Sequence, residues 1–316
     1  MDFSSGKYPF LKRFCSAAEI FGAAVFLVSL MSGGCPSSRT INPRLSRNLY
    51  HLGQDYYERA VKAKTPAEKD RFLEESLVQL RNSVKHDPQN YLARNLLGYL
   101  YLQRADQELG MSEVSQCLRG EDAEETRANA VKLFKMAEEQ FRGVVDIEPK
   151  CTNSWLGLTN TAMFFNSYEL AIKHARKVIN TLIEGGVESA CSSPGDQAVA
   201  WANIGWAHFQ MGDKIRASKN LRQAIFLAPK FYLAHYWMGR VHYSENRYED
   251  AFKEFEMTAR EFGLPQAVHQ YLGLTKLKLG RKEGARKAFL RCVELAPRSC
   301  TAEECHRYLK IMRRPD

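Results

Sequence analysis

The stretch Trp201-Ala202-Asn203-Ile204-Gly205-Trp206-Ala207-His208-Phe209, followed by Ala217, Leu221 and Pro229, sets a pattern that returns 34 residues later and then again. Gly205, Gly239 and Gly273 share one place in it; Ala217, Ala251 and Ala285 share a second; Leu221, Phe255 and Phe289 share a third. Pro229 and Pro297 lie two periods apart, with Gly263 midway. Each unit reads as two antiparallel helices. Gly and Ala stand where the pair approaches too closely for a large side chain, the large apolar residue fills the gap between them, and proline ends the second helix because it cannot continue one.

An apolar residue and Gly, Ala twelve later, a large apolar residue four after that and Pro eight beyond resemble the tetratricopeptide repeat, and Trp201 supplies the tryptophan that family expects. Upstream the register loosens but the signature persists. Trp155-Leu156-Gly157 opens a unit whose small residue, Ala171, comes two places late. Leu97-Gly98 with Tyr101 opens another, which closes with Ala137, Phe141 and Ile147-Glu148-Pro149 after an insertion of about twenty-five residues by repeat-length arithmetic. Leu52-Gly53 with Tyr56 opens the first, ending in Leu80, Ser83 and His86-Asp87-Pro88. The expectation is an all-α, right-handed superhelical solenoid of about six helix pairs over 47–300 (47–89, 90–150, 151–184, 198–231, 232–265, 266–299), closed by a capping helix in 301–316.

Three stretches interrupt the pattern. Val61–Leu73 is expected to lengthen the helices of the first pair. Ala105–Lys132, with Glu108, Glu113, Glu121, Asp122, Glu124 and Glu125, reads as a solvated helix face, with a binding role as the alternative. Ile183–Gln197, rich in Gly, Ser and Pro, reads as a loop where the solenoid bends.

The first 34 residues read as a signal peptide. Lys7, Lys12 and Arg13 precede a short apolar run from Ile20 to Met31, then Ser32-Gly33-Gly34-Cys35. Twelve helical residues rise about 18 Å, short of the roughly 30 Å hydrocarbon core, so the run is poorly suited to spanning a bilayer. The Gly-Gly-Cys border resembles a bacterial lipoprotein cleavage site. That resemblance makes Cys35 the acylated first residue of the mature chain, with 35–46 a tether; an ordinary signal-peptidase cut with Cys35 a bystander is the alternative. Several acyl chains hold a protein on a membrane stably where one does not. With Pro36 after the cysteine, sorting to the outer membrane stays open.

The 316 residues carry a formal charge of +9 with 45% apolar residues, the composition of a folded chain rather than a disordered, collagen-like or polytopic membrane one. Removing 1–34 takes three basic and two acidic residues and leaves +8. The charge is spread over every repeat with no nucleic-acid module, so an anionic membrane surface or an acidic partner is the expected use and nucleic acid is not. Of eight cysteines, Cys15 leaves with the signal, and the six beyond Cys35 permit fifteen disulfide connectivities. Cys300 and Cys305 are the first expected pair; zinc at Cys300, Cys305 and His306 is the alternative, without a second ligand pair.

No phosphate loop, HExxH motif, nucleophile elbow or paired CxxC occurs, so the sequence points to no enzyme activity, cofactor, metal or small-molecule substrate. His208 and His242 share one repeat position, and His235 and His269 another, which is the signature of packing rather than of ligation.

In a tetratricopeptide superhelix the first, or A, helix of each pair lines the concave face. Its outward places are expected to be Tyr50, Gln54 and Tyr57; Asn95, Tyr99 and Leu102; Ala202, Trp206 and Phe209; Tyr236, Arg240 and Tyr243; and Gln270, Leu274 and Leu277. Tyr, Trp and Arg dominate interface energetics, so a row this rich in them is expected to bind a protein.

A lipoprotein-type signal followed by six such pairs, with Asp87-Pro88-Gln89-Asn90 leading into Leu96-Leu97-Gly98-Tyr99-Leu100-Tyr101-Leu102-Gln103-Arg104, resembles the type IV pilus pilotins, the Tgl/PilF/PilW family. The resemblance implies an outer-membrane lipoprotein facing the periplasm that binds secretin subunits and promotes their assembly. A scaffold lipoprotein of another envelope complex, and a signal-anchored protein facing the cytoplasm, are the alternatives.

Overall fold

The computed structural model describes residues 41–109, 121–185, 187, 189–260, 266–295, 297 and 299–312. The expected signal, Cys35 and the tether up to Thr40 lie outside the described residues, as do Gly263 and Glu113. Ile41–Asp316 forms one compact unit, which holds all the buried apolar clusters.

Its described residues form thirteen α-helices and no strand. They fall into six antiparallel pairs: α1 (Pro43–Lys62) with α2 (Pro66–His86), α3 (Tyr91–Leu109) with α4 (Glu121–Ile147), and α5 (Thr152–Phe164) with α6 (Tyr168–Gly185). Then come α7 (Asp196–Gln210) with α8 (Lys214–Leu227), α9 (Tyr232–Ser244) with α10 (Tyr248–Arg260), and α11 (Gln266–Lys278) with α12 (Lys282–Leu295), closed by α13 (Cys300–Ile311). Each second, or B, helix packs on the A helix before it and the A helix after it, and each A helix also touches the next A helix. B helices touch one another far less, which puts the A row on the inside of the curve.

The expected close approaches are present. A Cβ added at Gly205 meets Leu221 Cγ at 2.7 Å, one at Gly239 meets the Phe255 ring at 2.7 Å and one at Gly273 meets the Phe289 ring at 2.6 Å. Leu221, Phe255 and Phe289 are completely buried, as are Ala217, Ala251 and Ala285. The turn from A to B is also periodic. Gly212, Asn246 and Gly280, 34 apart, adopt left-handed φ values of 84°, 61° and 71°, and Asn166 does the same at 54°. In each, the next residue's N–H reaches back to the helix: Asp213 to His208 O at 2.9 Å, Arg247 to His242 O at 2.9 Å, Arg281 to Lys276 O at 2.8 Å and Ser167 to Ala162 O at 2.8 Å. This is the bond that closes a helix ending in a left-handed residue, which Gly and Asn tolerate. The asparagines gain a further tie, since Tyr168 and Tyr248 each donate a hydroxyl to the preceding Asn Oδ1 at 2.7 Å.

The first three pairs differ. α1 begins inside the stretch read as tether because Asn42 accepts from Leu45 N–H at 2.9 Å and Pro43 presets the first turn. Val61–Leu73 contains only a three-residue break, after which Thr65 caps α2. α1 and α2 close on serine rather than alanine: Ser46 Oγ donates to Ser83 O at 2.8 Å and Ser83 Oγ to Ser46 O at 2.7 Å. α4 extends back to Glu121, with Glu124 and Glu125 exposed. Phe141 of α4 does double duty, since a Cβ at Gly98 lies 2.7 Å from its ring and one at Gly157 of the next pair lies 2.4 Å from it.

The loop between α6 and α7 is shorter than the Ile183–Gln197 stretch, because Ile183 and Asp196 belong to the helices. It folds over the start of α5: Asn153 N–H donates to Cys191 O at 3.1 Å, Ser192 Oγ to Lys150 O at 2.7 Å and Thr152 Oγ1 to Asp196 Oδ2 at 2.5 Å. Cys151 and Cys191 form a disulfide there.

The expected Cys300–Cys305 pairing is corrected. Cys305 pairs with Cys292 of α12, and Cys300 belongs to neither disulfide. Residues five apart on one helix point about 140° away from each other, so Cys305 faces α12 while Cys300 faces elsewhere. The disulfide joins α13 to the last pair. Tyr308 stacks on Phe289 at 5.1 Å, and Cys305 and Leu309 complete the cluster of Ala285, Phe289 and Cys292. α13 thereby covers the apolar face that the sixth pair exposes, as a terminal cap must.

Candidate protein-binding face

On the inner row, α7, α9 and α11 bring together a continuous aromatic surface. Trp206 stacks on Phe209 at 5.3 Å and on Trp237 at 5.4 Å, which links α7 to α9. The Arg240 guanidinium lies 4.7 Å from the Trp206 ring and 4.7 Å from the Tyr271 ring, so one cation bridges three successive A helices. Tyr243 meets Tyr271 edge-on at 5.8 Å and Tyr248 at 5.5 Å. Trp206, Phe209, Trp237, Arg240, Tyr243 and Tyr271 are all half-buried, so each anchors in the row while leaving surface for a partner. A cation over an aromatic face contributes about 0.5–1 kcal/mol at such a site, which makes this surface a preorganised platform rather than a set of loose side chains. Burial raises the Tyr243 pKa above its ordinary value, and its hydroxyl stays a donor.

Several expected contact residues are corrected to packing residues. Tyr236 is 3% exposed and lies against Phe255 and Tyr271, and Leu102 is 6% exposed inside the first core cluster. Gln270 is buried and donates to Glu304 of the cap, while Leu274 and Leu277 pack on the α12–α13 cluster. Ala202 is fully buried. Leu102, which shares its repeat place with Phe209 and Tyr243, is taken up by the first core cluster, whereas Ala202, Tyr236 and Gln270 share one reason. The fifth place of the fourth, fifth and sixth repeats points at the neighbouring helices, and the sixth place carries the half-buried aromatic side chain in the fifth and sixth repeats. The two sixth-place residues that sequence reasoning missed are Trp237 and Tyr271; the signal was available as an aromatic two residues before the repeat glycine, shared with Trp155.

The N-terminal part of the row is quieter. Tyr50 and Tyr57 are half-buried against the first cluster. Tyr99 donates its hydroxyl to Asn153 O at 2.7 Å and packs edge-on to Phe141 at 5.1 Å, so it ties α3 to α5. Burial drives its pKa far up.

The histidines pack. His235 Nδ1 lies 2.6 Å from Glu254 Oε2 and Nε2 2.9 Å from Pro229 O, and the bond to Glu254 raises its pKa. Burial lowers the pKa of His174, His208, His242 and His269. Among the described residues no three His, Cys, Asp or Glu side chains gather into a metal-binding group, and no helix is long and apolar enough to cross a membrane.

Tetratricopeptide-repeat family models match residues 203–264 and 268–299, the stretch that builds this face. The chain has the fold of a tetratricopeptide solenoid, and its C-terminal repeats carry the matching sequence. Such repeats are protein-interaction scaffolds, which agrees with an aromatic inner row. No curated protein matches the chain in sequence. Among solved structures, PilF of Pseudomonas aeruginosa is similar with a TM-score of 0.57 at 14% identity, over 84% of this chain and 97% of that one. PilW, described as a widely conserved type IV pilus biogenesis factor, is similar with a TM-score of 0.58 at 15% identity, over 83% of this chain and 99% of that one. The Cut9–Hcn1 hetero-tetramer of the APC/C gives a TM-score of 0.51 at 15% identity, over 84% of this chain and 48% of that one. At these identities the likeness is one of fold.

Proposed function

We propose that this tetratricopeptide solenoid is a non-catalytic lipoprotein, anchored through Cys35 at the periplasmic face of an outer membrane, that binds secretin subunits and promotes their assembly for type IV pilus biogenesis. The observation that carries the binding reading is the Trp206–Trp237–Arg240–Tyr271 platform: half-exposed aromatic and arginine side chains held rigid across three helices are the chemistry of an interface hot spot. Two disulfides among the described residues support an oxidising compartment, and the lipoprotein-type border at Cys35 supports the anchor. Fold likeness to PilF and PilW across most of the chain supports the pilus assignment. An acyl anchor confines the platform near the membrane and raises its effective concentration for a membrane-bound subunit.

The experiment is capture of secretin by residues 41–316, with Trp206→Ala and Trp237→Ala as probes in place of the buried Tyr236. Retained capture in both variants, with normal secretin multimers in a deletion strain, sinks the reading.

A further inference from the structure

We propose that the outward face of α8 is a docking surface for an anionic membrane. The helix runs Lys214-Ile215-Arg216-Ala217-Ser218-Lys219-Asn220-Leu221-Arg222-Gln223-Ala224-Ile225-Phe226-Leu227 and contains four basic residues and no acidic one. Its inner side is the conventional one: Ala217, Leu221 and Ala224 are completely buried against α7 and α9. Its outer side is not. Ile215 is 84% exposed and Phe226 78% exposed, the two most exposed of the large apolar side chains among the described residues. They stand eleven residues apart, three turns within about 20° of the same direction and roughly 16 Å along the axis. Lys219 and Arg222, both exposed, fall between them on the same stripe, and neither has an ion-pair partner among the described residues. Lys214 is engaged with Ser244 O at 2.9 Å and Arg216 with Asp213 at 3.3 Å, so the free positive charge is concentrated on the stripe itself.

The other C-terminal B helices lack this arrangement. α10 carries Glu249, Asp250, Glu254 and Glu256, and α12 carries Glu283 and Glu294. Two isolated apolar side chains projecting from a cationic face suit a fluid, negatively charged lipid surface: each cation near it contributes electrostatic attraction, and the apolar tips reach the headgroup–acyl boundary without needing a preformed pocket. An acidic protein would satisfy the cations but would need cavities matched to Ile215 and Phe226. The stripe lies on a B helix, away from the aromatic platform, so it leaves the inner row free for a protein partner while the solenoid lies against the bilayer.

The test uses residues 41–316, which hold every core cluster and no acyl anchor, in co-sedimentation with phosphatidylcholine vesicles made with and without phosphatidylglycerol. Binding is expected only to the anionic vesicles and is expected to fall with salt. Ile215→Ser with Phe226→Ser, and separately Lys219→Glu with Arg222→Glu, are each expected to weaken it about tenfold or more. Met257→Ser, on the exposed side of α10, serves as the control that leaves it unchanged. The substituted side chains are exposed, so an unaltered helical circular-dichroism spectrum keeps the comparison clean. Equal binding to neutral vesicles, indifference to both double variants, or retention on immobilised polyglutamate without vesicle binding overturns the proposal. Secretin capture does not use these residues, so failure here and failure of the proposed function are separate results.

Discussion

The two halves of the solenoid solve one packing problem in different ways. From α7 to α12 every pair repeats the same contact, a glycine of the A helix on a large apolar side chain of its own B helix, and the contact stays within the pair. From α1 to α6 every helix but α5 is longer than those of the second half, α1 and α2 close on paired serines, and Phe141 serves glycines of two successive pairs. The closing contact survives where the 34-residue period does not, because it depends on which side chains meet across a helix pair and not on how far apart they lie in the chain. Regularity confines each contact to its neighbour, whereas irregularity makes one residue responsible for two interfaces.

The largest expected effect follows from that difference. Phe141→Ala should cost about 5 kcal/mol, the upper end for phenylalanine truncation, because the cavity opens between α3, α4 and α5 together. Phe255→Ala should cost about 3 kcal/mol, because a single pair loses its filler and α9 can close on α10. Hydrogen exchange by mass spectrometry distinguishes the two. In the Phe141 variant protection should collapse from α1 through α6 and persist in α7–α12, since solenoid stability is a sum of local terms. Equal and local losses in both variants would break the comparison.

The disulfides sharpen it next. Cys151–Cys191 closes 40 residues at the irregular junction and Cys292–Cys305 closes 13 at the cap. By the loop-closure argument the first stabilises by about 4 kcal/mol and the second by about 3 kcal/mol. Urea unfolding of Cys151→Ser/Cys191→Ser and Cys292→Ser/Cys305→Ser should rank in that order. The first should lower protection at the α5 N-terminus and the second at α13.

How far all this was legible varies with the regularity. The six pairs and the cap were readable because Gly, Ala and a large apolar residue recur where helices touch. The inner face was half readable. Trp206, Phe209, Arg240 and Tyr243 keep part of their surface open on the inner row, but fifth-place residues such as Tyr236 and Gln270 are buried. Helical spacing admits both i+3 and i+4 partners, and only the contact with the next helix decides which of two adjacent residues turns inward. The Cys292–Cys305 pairing was hidden for a related reason: nearness in sequence favoured Cys300, while helix geometry turns it away.

The platform itself offers the next test. Truncating Trp206 or Trp237 should weaken capture of a bound protein by about 2 kcal/mol or more, near thirtyfold, while Tyr50→Ala, at the quieter end of the row, should cost well under 1 kcal/mol. Titration calorimetry against an isolated secretin segment reads both. Equal losses at the two ends would mean that the binding face spans the whole row.

The smallest effect distinguishes His235 from the other repeat histidines. His235 faces the Glu254 carboxylate with Nδ1 and the Pro229 carbonyl with Nε2, two acceptors, so the imidazolium suits the site and the pKa is raised. A raised folded pKa contributes stability that is full below the unfolded histidine value near 6.5 and is lost as pH rises through the folded value. His208 and His242 run the other way: burial lowers their pKa values, so the stability they contribute is present above the unfolded value and is lost as pH falls. Glu254→Gln removes the charge that holds the His235 proton but keeps an acceptor, so it should cost about 1 kcal/mol in mildly acid solution and much less in mildly alkaline solution. Urea midpoints of the wild type and Glu254→Gln across that range should converge as pH rises. Curves that stay parallel would show that Glu254 packs against His235 without holding its proton, and would place His235 with the neutral histidines of the other repeats.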